Sequence, residues 1–166
     1  NSEAVQVVMA YHERTKHHLN RYAAGPEVLD WDTQPNPFRT FTGSPRRILP
    51  LLTDETAVTF AGLPAATFQP FTLQTVAQFL ELSLGLAAWK EYGPNRWALR
   101  CNPSSGNLHP TEAYVLAFGV QGISDGLYHY LSLDHLLEQR WYPDAGQPGA
   151  GLYIGLSSIA WREAWK

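Results

Sequence analysis

The chain is poor in charge, in sulfur and in long apolar runs. Only 16% of its 166 residues are Asp, Glu, Lys or Arg, against about 25% in an ordinary soluble domain. The single cysteine, Cys101, excludes an internal disulfide and fits a reducing compartment. No apolar stretch reaches the roughly 18 residues that span a bilayer, and no charged-then-apolar leader opens the sequence. A cytoplasmic protein is therefore expected. The net charge is −3 with no basic block, which excludes the electrostatic footprint of a nucleic-acid binder. The first residue is Asn1 in place of Met, so a processed or partial chain is expected.

Apolar and aromatic side chains are abundant instead, at 45% and 13% of residues. The length suits one domain with a single core. So many aromatics with so little charge imply a surface that a partner or a second segment covers. The 13 glycines and 12 prolines call for many loops.

Periodicity assigns the elements. Residues from Ser2 to about Tyr22 read as a helix, with Val5, Val8, Met9 and His12 at the spacing of one buried stripe and Gly25-Pro26 as its stop. From Gly25 to Pro50 the chain is irregular and rich in proline (Pro26, Pro35, Pro37, Pro45, Pro50). The aromatics Trp31, Phe38 and Phe41 within it suggest an arm laid over a core, not a loose linker. A second helix follows Thr72, its expected N-cap, with Leu73, Val76, Ala77, Leu80, Leu84 and Ala87 as the apolar stripe. Gly93-Pro94 is expected to end it. Strands are expected over Tyr114–Val120, Gly126–Leu131 and Gly151–Ile159, and a short helix over Leu133–Arg140. Ala160–Lys166 begins a further element. This order describes a mixed α+β layered domain.

Several possible sites fail on inspection. Gly149, Gly151 and Gly155 precede a strand with G-x-G-x-x-x-G spacing, whereas a dinucleotide loop follows a strand and opens a helix. His12, His17 and His18 point in three directions on a helix turning about 100° per residue, with no carboxylate or Cys in support. They read as surface histidines. Cys101 with His109 or His129 could be posed as a nucleophile pair, but one Cys and several His occur together by chance in most domains. Gly155-Leu156-Ser157-Ser158 lacks the closing glycine of a nucleophile elbow.

The segment from Arg100 to Val115 differs (R-C-N-P-S-S-G-N-L-H-P-T-E-A-Y-V). It sets a turn, two hydroxyls, a glycine and an arginine directly before a buried strand. Pro103 and Gly106 bend the backbone, and the amides from Ser104 to Asn107 can turn towards a ligand. Such a loop suits a planar heterocycle rich in acceptors, with a negatively charged tail near Arg100. A polar turn with a helix cap explains the same residues equally well.

The pattern R-x-x-P-S-[AS]-G-x-L-[HY]-P-x-E-x-Y-V resembles the flavin-binding signature of the nitroreductase superfamily, in its SagB-type dehydrogenase branch. Tyr11 to His17, Leu29-Asp30-Trp31 and Gln34-Pro35-x-Pro37-Phe38 are similar to the N-terminal arm of that branch. Gly126-Leu127-Tyr128-His129-Tyr130, with His135-x-Leu137-Glu138, resembles its hairpin. The resemblance implies an α+β, nitroreductase-like fold with an antiparallel-rich sheet flanked by helices, here incomplete. Residues 1–70 would be the N-terminal helix and arm, and 71–166 the first part of the flavin-binding domain. It implies FMN between the halves of a two-fold dimer, or between this chain and a second nitroreductase-like half. NAD(P)H is a possible electron donor, and the substrate a small molecule or peptide. Pro103, Ser104, Ser105, Gly106 and Asn107 would line the flavin ring, and Arg100 would face its anionic side. The R-[RS]-S-x-R stretch that grips the flavin phosphate in many relatives is absent; Arg46-Arg47 lacks its serine and second arginine. Trp161-Arg162 to Lys166 is similar to a W-R-x-x-x-K-Y run, which makes Lys166 the candidate catalytic residue for proton transfer. The implied function is an FMN-dependent oxidoreductase, or part of one, moving a hydride through flavin N5. The alternative is a non-catalytic half that serves as a dimerisation scaffold.

Overall fold

The computed structural model describes residues 2–25, 28, 30–53, 58–144 and 149–163. Helix α1 covers Glu3–Thr15, strand β1 Arg46–Ile48, helix α2 Leu73–Leu84, and strands β2 and β3 Leu86–Tyr92 and Asn95–Arg100. They are followed by β4 (Thr111–Phe118), β5 (Gly126–Leu131), β6 (Leu136–Trp141), β7 (Gly151–Ser158) and the short α3 (Ala160–Glu163). Five strands form an antiparallel sheet in the order β1-β6-β5-β4-β7, and β2-β3 is a separate hairpin.

The sheet has two different faces because side chains alternate along each strand. On one face Ala113, Val115 and Ala117 of β4, Tyr128 and Tyr130 of β5 and Leu137 of β6 meet Val76, Ala77 and Leu80 of α2. Leu80 is fully buried, and burial of such a side chain contributes about 1.5–3 kcal/mol. The helix starts where Thr72 caps it: the Thr72 hydroxyl accepts the Thr75 amide at 3.2 Å and the Thr75 hydroxyl accepts the Thr72 amide at 3.0 Å.

The opposite face carries Tyr114, His129 and Glu138, aligned by register across β4, β5 and β6. It is covered by the Pro-rich arm. Phe41 stands edge-on to the His129 ring at 5.1 Å, and the Arg140 guanidinium lies 3.7 Å over the Phe41 ring. The Phe41 amide donates to Glu138 at 3.0 Å, and the Leu52 amide to Glu81 at 2.7 Å. Gln139 donates its amide to the Pro45 carbonyl at 2.8 Å. The Phe41 and Gln139 bonds lay the arm on the sheet, and the Leu52 bond ties its end to α2. Arg46–Ile48 joins the sheet as β1, a strand hidden in the sequence by its surrounding prolines.

Four expectations are corrected. Helix α1 ends at Thr15, well short of Tyr22, and has no buried residue. The stripe of Val5, Val8 and Met9 is exposed, because no described residue packs over it. Pro26, part of the expected stop, lies outside the described residues. Helix α2 ends at Leu84, not at Gly93-Pro94. Residues 86–92 leave the helix as β2 and turn through Gly93 (φ +57) and Pro94 into β3, as a two-residue hairpin loop with positive φ at its first position allows. Leu133–Arg140 is not a helix: residues 132–135 turn and 136–141 form β6, paired on both sides. The strands expected over Tyr114–Val120, Gly126–Leu131 and Gly151–Ile159 are present as β4, β5 and β7.

One helix does not cover five strands. Phe71, Phe79, Leu82, Tyr153 and Leu156 are all more than half exposed. An apolar cleft of about 370 Å³ runs between α2 and β7, lined by Phe71, Phe79, Leu152 and Ile154. Among the described residues no helix is long and apolar enough to cross a membrane.

Candidate cofactor-binding site

Residues 101–110 connect β3 to β4. The backbone reverses through Gly106 (φ +65), Asn107 (φ +54) and His109 (φ +51). Left-handed φ is free for glycine and tolerated by asparagine, whose short polar side chain bonds locally. Four hydrogen bonds hold the shape. The Asn107 amide donates to the Ser104 carbonyl at 3.0 Å, and the His109 amide to Ser104 Oγ at 2.9 Å. Asn107 Nδ2 and His109 Nε2 both reach the Ala98 carbonyl of β3. Among the described residues, the amides of Ser105 and Gly106 make no hydrogen bond. They lie on the exposed tip of the loop, free to meet an acceptor.

His109 is 4% exposed. Its Nε2 faces a carbonyl and so carries the proton, which leaves Nδ1 as a buried acceptor with no partner among the described residues. Burial lowers its pKa, and the cations of Arg100 and Arg162 add to that, against the opposite pull of the Ala98 carbonyl. The imidazole is therefore neutral at pH 7.

Arginines stand on both sides of the loop. Arg162 of α3, also 4% exposed, donates from Nε to the Pro35 carbonyl at 2.9 Å and from Nη1 to the Leu108 carbonyl. Arg100 donates from Nη1 to the Thr111 carbonyl at 3.1 Å and from Nη2 to the Pro37 carbonyl. Its guanidinium lies 5.0 Å from the Phe38 ring centre. Burial is the chief cause that lowers the pKa of both, yet arginine keeps its charge in proteins.

The structure brings Pro103, Ser104 and Ser105 together on a cleft of about 250 Å³, whose other wall includes Leu108, Thr111 and Arg162. Gly106 is exposed beside them, while the Asn107 side chain turns back into β3. Arg100 faces elsewhere. It lines a small cleft of about 20 Å³ with Phe38, Asn102, Glu112 and His129, room for one water molecule. Lys166 lies outside the described residues. Cys101 is exposed and, among the described residues, forms no pair with His109, whose Nε2 faces the Ala98 carbonyl, or with His129, whose Nδ1 meets Glu138. Among the described residues no three His, Cys, Asp or Glu side chains are arranged to hold a metal.

Sequence reasoning missed two groups. Arg162 meets Leu108 across 54 residues, and no spacing announces such a contact. The second is a buried line of Glu112, His129 and Glu138. His129 Nδ1 is 3.2 Å from Glu138 and its Nε2 is 3.8 Å from Glu112. Arg46 pairs with Glu138 at 3.0 Å and Arg39 with Glu112 at 3.4 Å. Burial lowers the His129 pKa, although both carboxylates pull it upwards. Alternation along β4, β5 and β6 is the signal that could have shown these three on one face.

No protein-family model and no curated protein sequence matches the chain. A solved structure does. Over 96% of this chain, the structure matches a crystal structure from Anabaena variabilis ATCC 29413, described as a candidate nitroreductase, with a TM-score of 0.66 and 28% sequence identity. The fold is nitroreductase-like. The chain spans 33% of the length of that protein. Within this nitroreductase-like frame, the 101–110 loop joins the β2-β3 hairpin to β4, which pairs with β5 on one side and β7 on the other.

Proposed function

We propose that this chain supplies part of the flavin site of an FMN-dependent oxidoreductase of the nitroreductase kind. The observation that carries the reading is the pair of unpartnered amides at Ser105 and Gly106, beside the cleft that Pro103, Ser104 and Arg162 line. They fit the acceptor-rich edge of a planar ring. The cleft is about 250 Å³, below the roughly 300–1,000 Å³ of ordinary ligand pockets, so this loop makes one wall. A second copy of the chain or a second nitroreductase-like half would make the other. The exposed apolar surface of α2 and β7 supports such an association.

Bound FMN supplies hydride transfer at its N5 atom, with NAD(P)H or the organic substrate as the source. The chain's own part is to position and to polarise. The Ser105 and Gly106 amides donate hydrogen bonds where negative charge develops on reduction. Pro103 and Leu108 offer apolar contact that excludes water, and the neutral His109 holds the loop without placing a second cation beside it. Within this reading the P-S-S-G-N-L-H-P and W-R motifs favour a SagB-type dehydrogenase, and Lys166 is the group for proton transfer at an azoline-type substrate.

A non-catalytic scaffold is the second reading. It is favoured by the commitment of Arg100 to the Pro37 and Thr111 carbonyls, which leaves the flavin phosphate without an assigned partner. The full-length protein, purified and examined for yellow colour and for flavin released on denaturation, decides between them. FMN at close to one per chain supports the oxidoreductase. Colourless protein that takes up no added FMN at saturating concentration overturns it in favour of the scaffold.

A further inference from the structure

Two arginines, the buried Arg162 and the half-buried Arg100, grip one tripeptide of the arm. Pro35-Asn36-Pro37 cannot join a strand ladder on its own account, because proline has no amide to donate. Its carbonyls still require donors. Arg162 supplies Nε and Nη2 to the Pro35 carbonyl while Nη1 reaches the Leu108 carbonyl. Arg100 supplies Nη2 to the Pro37 carbonyl while Nη1 reaches Thr111. Each guanidinium therefore joins one carbonyl of the arm to one carbonyl at the end of the 101–110 loop. Between those two points the Pro110 carbonyl accepts the Ile159 amide at 2.8 Å, so β7, the loop and the arm are tied at a single place.

Neither guanidinium is within ion-pair distance of a described carboxylate: Arg162 feels none, and Glu112, across the small cleft from Arg100, is engaged by Arg39. Burying a cation without a carboxylate is costly, and apolar side chains of similar volume commonly replace buried charges at no loss. Packing alone does not account for two arginines here. The planar fork does, because one guanidinium can bond two carbonyls in fixed directions, as an ammonium on a flexible stem cannot.

We propose that Arg100 and Arg162 are positioning residues that clasp the Pro35–Pro37 segment to the 101–110 loop, so that the arm and the flavin-facing loop keep their shape as one unit. The role towards flavin rests on the oxidoreductase reading above; the clasp does not. Arg162→Lys and Arg100→Lys keep the charge and most of the stem while removing the fork.

The test uses the full-length protein, first freed of flavin. In each variant the amides of Phe38, Asn107, His109 and Ile159 should exchange their hydrogens about tenfold faster or more, as loss of a charge-assisted bond implies. Those of α2 should be unchanged. Retained protection of Asn107 and His109 in Arg162→Lys overturns the clasp. Faster exchange throughout the chain, α2 included, also overturns it, since it reports global instability. Saturating FMN then gives a second readout, the visible circular dichroism of the bound ring. A spectrum altered in both variants supports positioning of the flavin site, and a parental spectrum in both overturns that part. If the parental protein binds no FMN, the oxidoreductase reading fails while hydrogen exchange still decides the clasp.

Discussion

Asn107 and His109 share one acceptor, the Ala98 carbonyl, at 2.9 Å from Asn107 Nδ2 and 3.0 Å from His109 Nε2. Both side chains therefore point back into β3, although they sit on a loop rich in polar groups. What the loop offers a ligand is its main chain. The same carbonyl fixes the His109 tautomer and helps two non-glycine residues keep positive φ, a conformation that costs about 1–2 kcal/mol for an ordinary residue.

Gly106→Val tests the main-chain role. At φ +65 a β-branched residue should lower stability by about 1–2 kcal/mol, read from urea unfolding of the flavin-free protein. Flavin retention should fall far more than that penalty implies, because the new side chain stands between the amides and the ring. Full retention would remove Gly106 from the site.

Acid should weaken the fold early. Burial holds His129 and His109 below their ordinary value, about 6.5. The unfolded chain then takes up these protons first as pH falls, so stability is complete above roughly pH 6.5 and declines below it, towards the lowered folded-state values. The urea midpoint should drop between about pH 7.5 and pH 5.5, and His129→Gln should flatten part of that slope. A parental midpoint constant over this range would contradict the assignment of neutral buried imidazoles.

Glu138 ties the arm to the sheet. It is fully buried and accepts from the Phe41 amide, Arg46 and His129. Glu138→Ala leaves two buried groups without a partner and should cost about 3 kcal/mol. Arg46 is 46% exposed, so water can replace part of its bond to Glu138 and Arg46→Ala should cost less, about 1–2 kcal/mol. Chemical denaturation of the two variants side by side checks the asymmetry; equal losses would assign the stability to the ion pair and not to the arm.

Gly85→Ala examines the end of α2. A Cβ at this position would lie 2.5 Å from the Glu81 carbonyl oxygen, and backbone cannot give way as a side chain can. A loss of about 1–3 kcal/mol is expected, with the midpoint of thermal unfolding as the measurement. An unchanged midpoint would mean that the helix continues past Leu84.

The sequence was most legible where one local rule governed. Thr72 capped α2 as its hydroxyl chemistry predicts, and the apolar run from Tyr114 became β4. Sequence misled where tertiary pairing overruled propensity. Leu136-Leu137-Glu138-Gln139 are good helix formers, yet a strand between β1 and β5 buries Leu137 on one face and Glu138 on the other. Ala87-Ala88 likewise extended the helical pattern into a segment that pairs with β3. The loop was visible as a motif, and three of the five residues expected to line the flavin ring, Pro103, Ser104 and Ser105, lie on one cleft. Its supports were invisible, because Pro35, Leu108 and Arg162 come together only in the folded chain.

The two borders of the sheet are unequal. Strand β1 is three residues long and begins with two arginines, a combination that repels an incoming strand. Strand β7 has eight residues, no charge and no proline, and pairs with β4 on one side alone. Among the described residues its outer row of main-chain groups is unpaired, a template for one further strand at the usual spacing of about 4.8 Å. Growth of this sheet, whether by orderly annexation of a strand or by runaway stacking at high concentration, therefore proceeds from the β7 border.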